Sequence, residues 1–347
     1  MTVKFCNFIL IFVVFVVFAE QSRAQDSKLL ELRKDFALRY LQPNAHFALA
    51  KYYIEKGNFV QAFFVLEYAR RYRFEEKDFD TEYFKFFGDP MPEPPVDAKD
   101  AFSIAMKLAG EQKYDEAEAN FLKASKIYDK SFAINIWTGR FYYKARGDSR
   151  RALPYYFKSY FLYPHAYETE YAESRIRAIT SADANIIFRE SMGRGRAYSD
   201  FVRDENPIIV GLAISEIAKN WNTDHLTVLL GALTNDDSSN RWGAFVTLQK
   251  NAGPRFDRII DELLADSDLR KRGLAAYAIV EREGEQKFDV LEKMLLDPAE
   301  LVRFDAVSAL VIRGGVKGKK ILTKHLRIEK QPRLKALIDQ ALKSIPK

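Results

Sequence analysis

The feature that most constrains the fold is a 31-residue period in the second half of the chain. An acid or amide recurs at this step, and an arginine follows each one six residues later. These positions are Asn235, Asp266 and Asp297, with Arg241, Arg272 and Arg303. Apolar columns keep the same step, and paired columns lie four residues apart, as Leu291 and Leu295 do. Because side chains four apart share one helix face, each copy is predicted to be a hairpin of two short helices.

A hairpin of this size cannot bury its apolar face alone, whereas a stack of copies can. We therefore expect a stacked array over residues 204–347. The dipeptide Asp297-Pro298 predicts an N-cap followed by proline at the first position of the second helix. An active-site pair would not recur in register, so the acids and arginines are interpreted as part of the scaffold.

The repeated unit resembles the HEAT repeat, most closely the short form first noticed in phycobilisome-lyase proteins. The resemblance covers roughly residues 204–344, and it implies that the acids and arginines form a ladder along the stack. The first copy has Val210 in the arginine position, and the last copy has Ile328 and Leu334 in the acid and arginine positions. The ladder is therefore expected to fail at both ends, where the copies act as caps.

The first half of the chain carries a different repeat. Three segments share it: YYIEKGNFVQAFFVLEYARRY, LAGEQKYDEAEANFLKASKIY and YYKARGDSRRALPYYFKSYFLYP. Each has a small residue where two helices approach closely, at Ala62, Ala117 and Ala152. Gly57 and Gly147 allow a left-handed turn between the paired helices. The pattern predicts three helical hairpins.

Together the three segments resemble tetratricopeptide repeats, which are helical hairpins used for docking peptides and proteins. Gln112 replaces the usual glycine of the second copy, and Arg140 and Ser159 stand at normally small positions of the third. The chain is accordingly divided into a signal peptide at 1–24, a leading helix at 25–42, a front array at 43–170 with an inserted loop at 73–98, a closing helix and junction at 171–203, and a back array at 204–347 with a basic cap.

The tetratricopeptide resemblance implies a concave groove lined by the first helix of each hairpin. The matching positions carry aromatic anchors, a methionine and a lysine: Phe47, Lys51, Phe102, Met106, Trp137 and Phe141. Such a groove suits an apolar segment or an amphipathic helix of a partner protein. The alternative is that these aromatic rings are buried between neighbouring repeats.

The N-terminus has the three parts of a secretory signal peptide. One lysine precedes an apolar run from Phe5 to Ala19, and Ser22-Arg23-Ala24 offers a small-x-small cleavage site. An uncleaved anchor is the alternative. Removal of residues 1–24 would also remove Cys6, the single cysteine, so the mature chain could form no disulfide. We expect an exported protein, periplasmic or secreted, of the kind found in a bacterial envelope, without a transmembrane span in its mature form.

The net charge of +6 is concentrated near the C-terminus. Residues 313–347 contain eleven lysines or arginines against two acids. The candidate basic patch consists of Lys317, Lys319, Lys320, Lys324, Arg327, Arg333 and Lys335. It would suit anionic lipid or polysaccharide, while export argues against nucleic acid. The alternative is a solvated end cap, because terminal repeats need a polar outer face.

Nothing in the sequence indicates an enzyme. The four histidines are scattered, and there is no HExxH motif, zinc pattern or nucleophile elbow. We therefore expect an all-α chain of two stacked α-hairpin solenoids, with no catalytic site, cofactor or metal. Its predicted function is a scaffold for protein–protein interactions in the cell envelope or secreted space. The alternatives are an anionic-surface binder acting through residues 313–347 and a structural subunit of an envelope assembly.

Overall fold

The computed structural model describes residues 27–71, 76–88, 93–163, 169–280, 284 and 286–344. Over these residues the regular secondary structure is helical without strands, which confirms the prediction of an all-α chain. None of the helices described is both long and apolar enough to cross a membrane. The predicted signal peptide, residues 1–24, lies outside the described residues.

The helices are numbered in chain order. The first nine are α1 (residues 27–38), α2 (Pro43–Glu55), α3 (Phe59–Arg71), α4 (Glu76–Phe87), α5 (Val96–Gly110), α6 (Tyr114–Ile127), α7 (Phe132–Arg140), α8 (Ser149–Leu162) and α9 (Thr169–Gly193). They are followed by α10 (Pro207–Lys219), α11 (His225–Ala232), α12 (Ser238–Asn251), α13 (Arg255–Ala265), α14 (Leu269–Ile279), α15 (Gln286–Met294), α16 (Glu300–Arg313), α17 (Gly315–Leu326) and α18 (Pro332–Ser344). A π-helical turn at Phe141–Ala145 continues α7, and a 3₁₀ turn at Tyr198–Phe201 precedes α10.

The chain divides into two compact units. Unit 1 comprises the described parts of residues 1–52 and 257–347, and unit 2 comprises those of residues 53–256. The division falls inside the predicted back array, and the leading segment groups with the last helices of the chain.

In unit 2, helices that follow one another in sequence pack together. α5 contacts α6, α7 contacts α8, and α8 contacts α9. Ala117 and Ala152, which mark predicted close approaches of helices, are completely buried. Phe121 and Tyr156, four residues after each alanine, are buried as well. The small residue brings the helices together, and the aromatic ring beside it fills the remaining space.

In unit 2, the turn inside each of the three predicted hairpins contains a residue with left-handed backbone geometry. The φ angles are 74° at Gly57, 64° at Gly147 and 59° at Gln112. Glycine adopts this geometry without strain, whereas a residue with a Cβ pays roughly 1–2 kcal/mol. Gln112 therefore adopts the conformation that its repeat position requires, at a cost to stability.

Replacing Gln112 with glycine is expected to raise the free energy of unfolding by about 0.5–1 kcal/mol. The substitution removes the left-handed strain, and the extra freedom of glycine in the unfolded chain offsets part of the gain. Gln112→Ala keeps a Cβ and should give no such increase. Urea unfolding followed by tryptophan fluorescence measures both variants. Equal stability of the glycine and alanine variants would contradict the strain argument.

The segment predicted as an inserted loop, residues 73–98, contains a helix, so this part of the prediction needs correction. α4 buries Phe79 and Tyr83, which lie four residues apart on one face. The Tyr83 hydroxyl donates a hydrogen bond to the carbonyl of Phe161 on α8. The closely spaced aromatic residues of this segment supply an apolar face that favours a packed helix. Residues 93–95 remain irregular, as the proline-rich sequence indicates.

The period-31 acids and amides share one local structure. Each side-chain oxygen accepts a hydrogen bond, 2.8–2.9 Å long, from the backbone N–H two residues later. The four residues are Asp204, Asn235, Asp266 and Asp297. This Asx turn shapes the connection between the two helices of each copy. The prediction that Asp297 is the N-cap was wrong: α16 begins at Glu300 with Ala299 at the N-cap, because Asp297 shapes the preceding turn.

Two of the arginines, Arg272 and Arg303, connect successive turns. Arg272 donates to the carbonyl of Asp266 at 3.0 Å, and its Nε and Nη2 each lie 3.2 Å from a carboxylate oxygen of Asp297. Arg303 repeats this arrangement with the carbonyl of Asp297 at 2.9 Å and with the carboxylate of Glu329 at 3.0 Å. In unit 2, Arg241 donates to the Asn235 carbonyl at 2.8 Å.

The expectation that the ladder ends before the last copy was therefore wrong at the C-terminal end. The alignment at a fixed 31-residue step places Ile328 in the acid position, whereas the structure places Glu329 there, one residue later. The last step is thus 32 residues long, since Asp297 and Glu329 occupy equivalent positions in their turns. A fixed period cannot detect an insertion of one residue.

The leading segment, described from residue 27 to residue 42, forms hydrogen bonds and a ring contact with the C-terminal helices of unit 1. The backbone N–H of Leu41 donates to Glu300 Oε2 at 3.0 Å, and the Leu41 carbonyl accepts from Arg333 Nη1 at 2.7 Å. The ring of Tyr40 packs against Phe304 with centroids 5.5 Å apart. The N–H and the carbonyl of buried Leu41 thus both form hydrogen bonds with side chains that are distant in sequence. Buried peptide groups need such partners, because leaving them unpaired costs free energy.

Candidate partner-binding surface

The six residues of the predicted groove do not form one exposed surface. Phe47 and Phe141 are buried, so they belong to the core and cannot contact a partner; this corrects their proposed role. Phe141 packs against Phe121 with centroids 5.0 Å apart. Phe102 and Met106 are half-buried, while Lys51 and Trp137 are exposed. The structure thus supports the alternative of burial between helices for two of the aromatic residues.

Trp137 belongs to a different surface, which the sequence did not indicate. Aromatic rings and cationic side chains from α7, the π-helical turn, α8 and α9 lie together in unit 2. We call this set the aromatic–arginine cluster. Its members are Trp137, Arg140, Tyr143, Lys144, Tyr156, Tyr171 and Arg175.

The cationic groups of the cluster lie over aromatic faces. The Arg140 guanidinium is 4.3 Å from the centroid of the Trp137 ring and 4.9 Å from that of Tyr171. The Arg175 guanidinium lies 5.2 Å from the centroids of both Tyr143 and Tyr171, and it donates to the Tyr143 hydroxyl at 3.1 Å. Such contacts hold a guanidinium plane in a fixed orientation and are each worth about 0.5–1 kcal/mol at exposed sites.

The local backbone places these side chains together. The π-helical turn widens the end of the α7 segment and positions Tyr143 and Lys144, and turns of this kind often occur at functional sites. Gly139 lies against the Tyr156 ring, where an added Cβ would be 2.8 Å from a ring carbon. Glycine at this position therefore permits the close approach of α7 and α8 that underlies the cluster.

Three polar atoms of the cluster are buried without a hydrogen-bond partner of suitable geometry: Tyr156 Oη, Tyr171 Oη and Arg175 Nε. Burial raises the pKa of Tyr156 well above its ordinary value, and the neighbouring Tyr171 hydroxyl adds to this effect. The Tyr156 hydroxyl therefore keeps its proton at neutral pH. Buried polar atoms without partners in the protein are rare in folded proteins.

The cluster is also positively charged. Among the described residues, no carboxylate forms an ion pair with Arg140, Lys144 or Arg175. A contrasting network lies nearby on α3 and α9, where Arg70 pairs with Glu173 and Arg177 pairs with Glu67. Arg70, Glu173 and Arg177 of that network line a groove of about 610 Å³, and Glu170 completes a charge-balanced lining. The cluster is therefore the part of this region able to attract an anionic group.

The residues of the predicted basic patch, all in unit 1, differ in exposure and in the contacts they make. Lys320, Arg327 and Lys335 are exposed, and Lys319 is half-buried. Two exposed lysines have local partners. Lys317 lies 4.7 Å from the ring centroid of Phe288, and Lys324 lies 3.4 Å from Glu292. Arg333 donates to the Leu41 carbonyl, so its role is structural and its assignment to the patch is corrected.

Within the described residues, no group of three or more His, Cys, Asp or Glu side chains could hold a metal ion. Comparison with known proteins found no matching protein-family model, no matching curated protein and no matching solved structure.

Proposed function

We propose that the protein is a non-enzymatic interaction protein that binds an acidic segment of a partner protein on the aromatic–arginine cluster. The observation that supports this most is the set of three cations lying over aromatic rings without a carboxylate partner among the described residues. The N-terminal sequence suggests that this binding takes place after export, in the cell envelope or secreted space.

An acidic segment fits the cluster in both charge and shape. A guanidinium can donate two parallel hydrogen bonds to one carboxylate, and stacking on a ring leaves its N–H edge available for this. Trp137 is 37% exposed and lies beside Arg140, so it can act as an apolar anchor next to the ionic contact. Aromatic residues and arginine are the types that contribute most to binding energy at protein interfaces.

Selection of peptides from a displayed random library against the folded mature chain tests this proposal. We expect enriched sequences to be rich in Asp and Glu. Synthetic copies should bind at least tenfold more weakly to the double variant Arg140→Gln, Arg175→Gln, which corresponds to about 1.4 kcal/mol. Raising the salt concentration should weaken binding to the wild type.

The matched control is the double variant Arg189→Gln, Arg203→Gln, which removes two positive charges from exposed arginines of unit 2 outside the cluster. Circular dichroism must show that both variants are folded. If the selected peptides lack acids, or if the two variants bind them equally, the cluster is not the binding site.

A further inference from the structure

The ladder of unit 1 aligns three turns along one edge. Arg272 joins the turn at Asp266 to Asp297, and Arg303 joins the turn at Asp297 to Glu329. Because one guanidinium bonds to two turns at once, neighbouring turns lie within the span of a single side chain. We call this row of turns, with the residues that flank them, the ladder edge.

Two large aliphatic side chains on the ladder edge are highly exposed to solvent. Leu296, next to Asp297, is 66% exposed, and Ile328, next to Glu329, is 56% exposed. The Arg303 bridge brings these adjacent turns together, so the two aliphatic side chains belong to one surface. Folding gains little from them, because most of their apolar area stays in water. Exposed apolar side chains grouped on one surface and rimmed by polar residues mark sites of contact with proteins or membranes.

Cations flank these aliphatic side chains, and the nearby acids are already paired. Lys293, Arg327 and Lys330 are exposed, and no ion pair involves them among the described residues. Lys324, also exposed, lies 3.4 Å from Glu292. The carboxylates of Asp297 and Glu329 bind the ladder arginines. The exposed charge of the ladder edge is therefore positive.

We propose that the ladder edge binds the surface of an anionic lipid bilayer, with Leu296 and Ile328 inserted between the acyl chains. The lysines and arginines would then lie at the level of the headgroups, where each cation is attracted by the negative surface potential. Stabilisation of helix C-termini explains basic residues at the ends of α15 and α17, but it does not explain the exposed aliphatic side chains. Nucleic acid or an acidic polysaccharide would attract the cations and offer no apolar phase to Leu296 and Ile328.

This inference concerns unit 1 and does not depend on the peptide-binding function proposed for unit 2. The test is flotation of the full mature chain with vesicles of phosphatidylcholine containing about one quarter phosphatidylglycerol, a composition that gives a negative surface. We expect the wild type to float with these vesicles and to remain unbound with pure phosphatidylcholine. The double variant Leu296→Ser, Ile328→Ser should lose at least about tenfold in partition coefficient, since it removes the inserted aliphatic groups.

The matched control is the double variant Ile312→Ser, Val316→Ser. These residues are 64% and 62% exposed, and they flank the end of α16 opposite to the ladder edge. The control should bind like the wild type, while Lys293→Gln, Lys330→Gln should bind more weakly and with a smaller salt dependence. Equal losses in the two aliphatic variants, equal binding to neutral vesicles, or no binding to anionic vesicles would each overturn the proposal.

Discussion

Replacing Arg303 with methionine is expected to lower the free energy of unfolding of the C-terminal repeats by about 3–5 kcal/mol. Arg303 donates to two backbone carbonyls of its own turn, at Asp297 and Pro298, and to the carboxylate of Glu329. The side chain of Glu329 is almost completely buried. Methionine fills a similar volume but leaves two carbonyls and part of a buried carboxylate without donors, and this loss dominates the effect.

Hydrogen exchange over residues 286–344 is the appropriate measurement. All three tryptophans lie in unit 2, so fluorescence does not report on these repeats directly. Stacked repeats can unfold in parts, which makes a local measurement necessary. The matched control is Arg258→Met, at an exposed arginine of unit 1, which should change the exchange free energy by less than about 0.5 kcal/mol.

Arg303→Lys separates charge from geometry. A single ammonium group carries the same charge, but it lacks the planar fork that bonds to two turns at once. It should therefore recover only part of the lost stability. Full recovery with lysine would show that charge alone matters, and no loss with methionine would show that the ladder contributes nothing to stability.

The ladder illustrates which structural features the sequence could predict. The period of 31 identified the acids and arginines because each acid or amide forms an Asx turn and each arginine donates to a carbonyl of its own turn. Arg272 and Arg303 also bond to the next turn. A second column of the sequence has the same period. Gly253, Gly284 and Gly315 are also 31 residues apart, and all three have positive φ angles, at which glycine is strongly favoured. Residues that the backbone requires at a fixed period can therefore be recognised in the sequence.

No periodic pattern in the sequence identifies the aromatic–arginine cluster, because the cluster occurs once and is formed by tertiary contacts. Its side chains come from three helices, and the π-helical turn at Phe141–Ala145 shifts the residues that follow relative to a regular helix. The hydrophobic pattern does not reveal such a shift. One signal was present. Arg140 occupies a position that is normally small in the tetratricopeptide pattern, and the structure places it over two aromatic rings.

The sequence also could not show which aromatic side chains are buried. Phe47 and Phe141 occupy positions that line a groove in the resembling family, and here they are core residues. A helical stripe of aromatic residues has the same spacing whether it faces solvent or another helix. Only the neighbours decide between these cases, and for Phe141 they include Phe121 and Tyr142.

The buried carboxylate of Glu329 should also make the free energy of unfolding of unit 1 depend on pH. Burial alone would raise the pKa of Glu329, but hydrogen bonds from His325, from the Gln331 amide and from Arg303 outweigh it and lower the pKa from 4.5 to about 2. His325 Nε2 lies 2.9 Å from the carboxylate, and the Gln331 N–H donates to it at 2.9 Å. These donors favour the ionised form, because protonation would turn one of the two acceptor oxygens into a donor.

The folded-state pKa lies below the unfolded value, so the unfolded chain binds the proton more readily. The stabilisation is therefore complete above about pH 5 and is lost as the pH falls from 4.5 towards 2. A shift of this size corresponds to about 3 kcal/mol. Other carboxylates also titrate in this range, so the effect of Glu329 has to be measured as a difference from a variant that cannot ionise there.

Glu329→Gln provides that reference. At neutral pH the wild type should be the more stable protein, and its advantage in urea unfolding followed by circular dichroism should shrink by about 3 kcal/mol between pH 5 and pH 2. Glu262→Gln, at an exposed glutamate on α13 of the same unit, is the matched control, and its difference from the wild type should stay nearly constant with pH. If the Glu329→Gln difference were equally constant with pH, the Glu329 carboxylate would not be the group that makes the stability of unit 1 depend on pH.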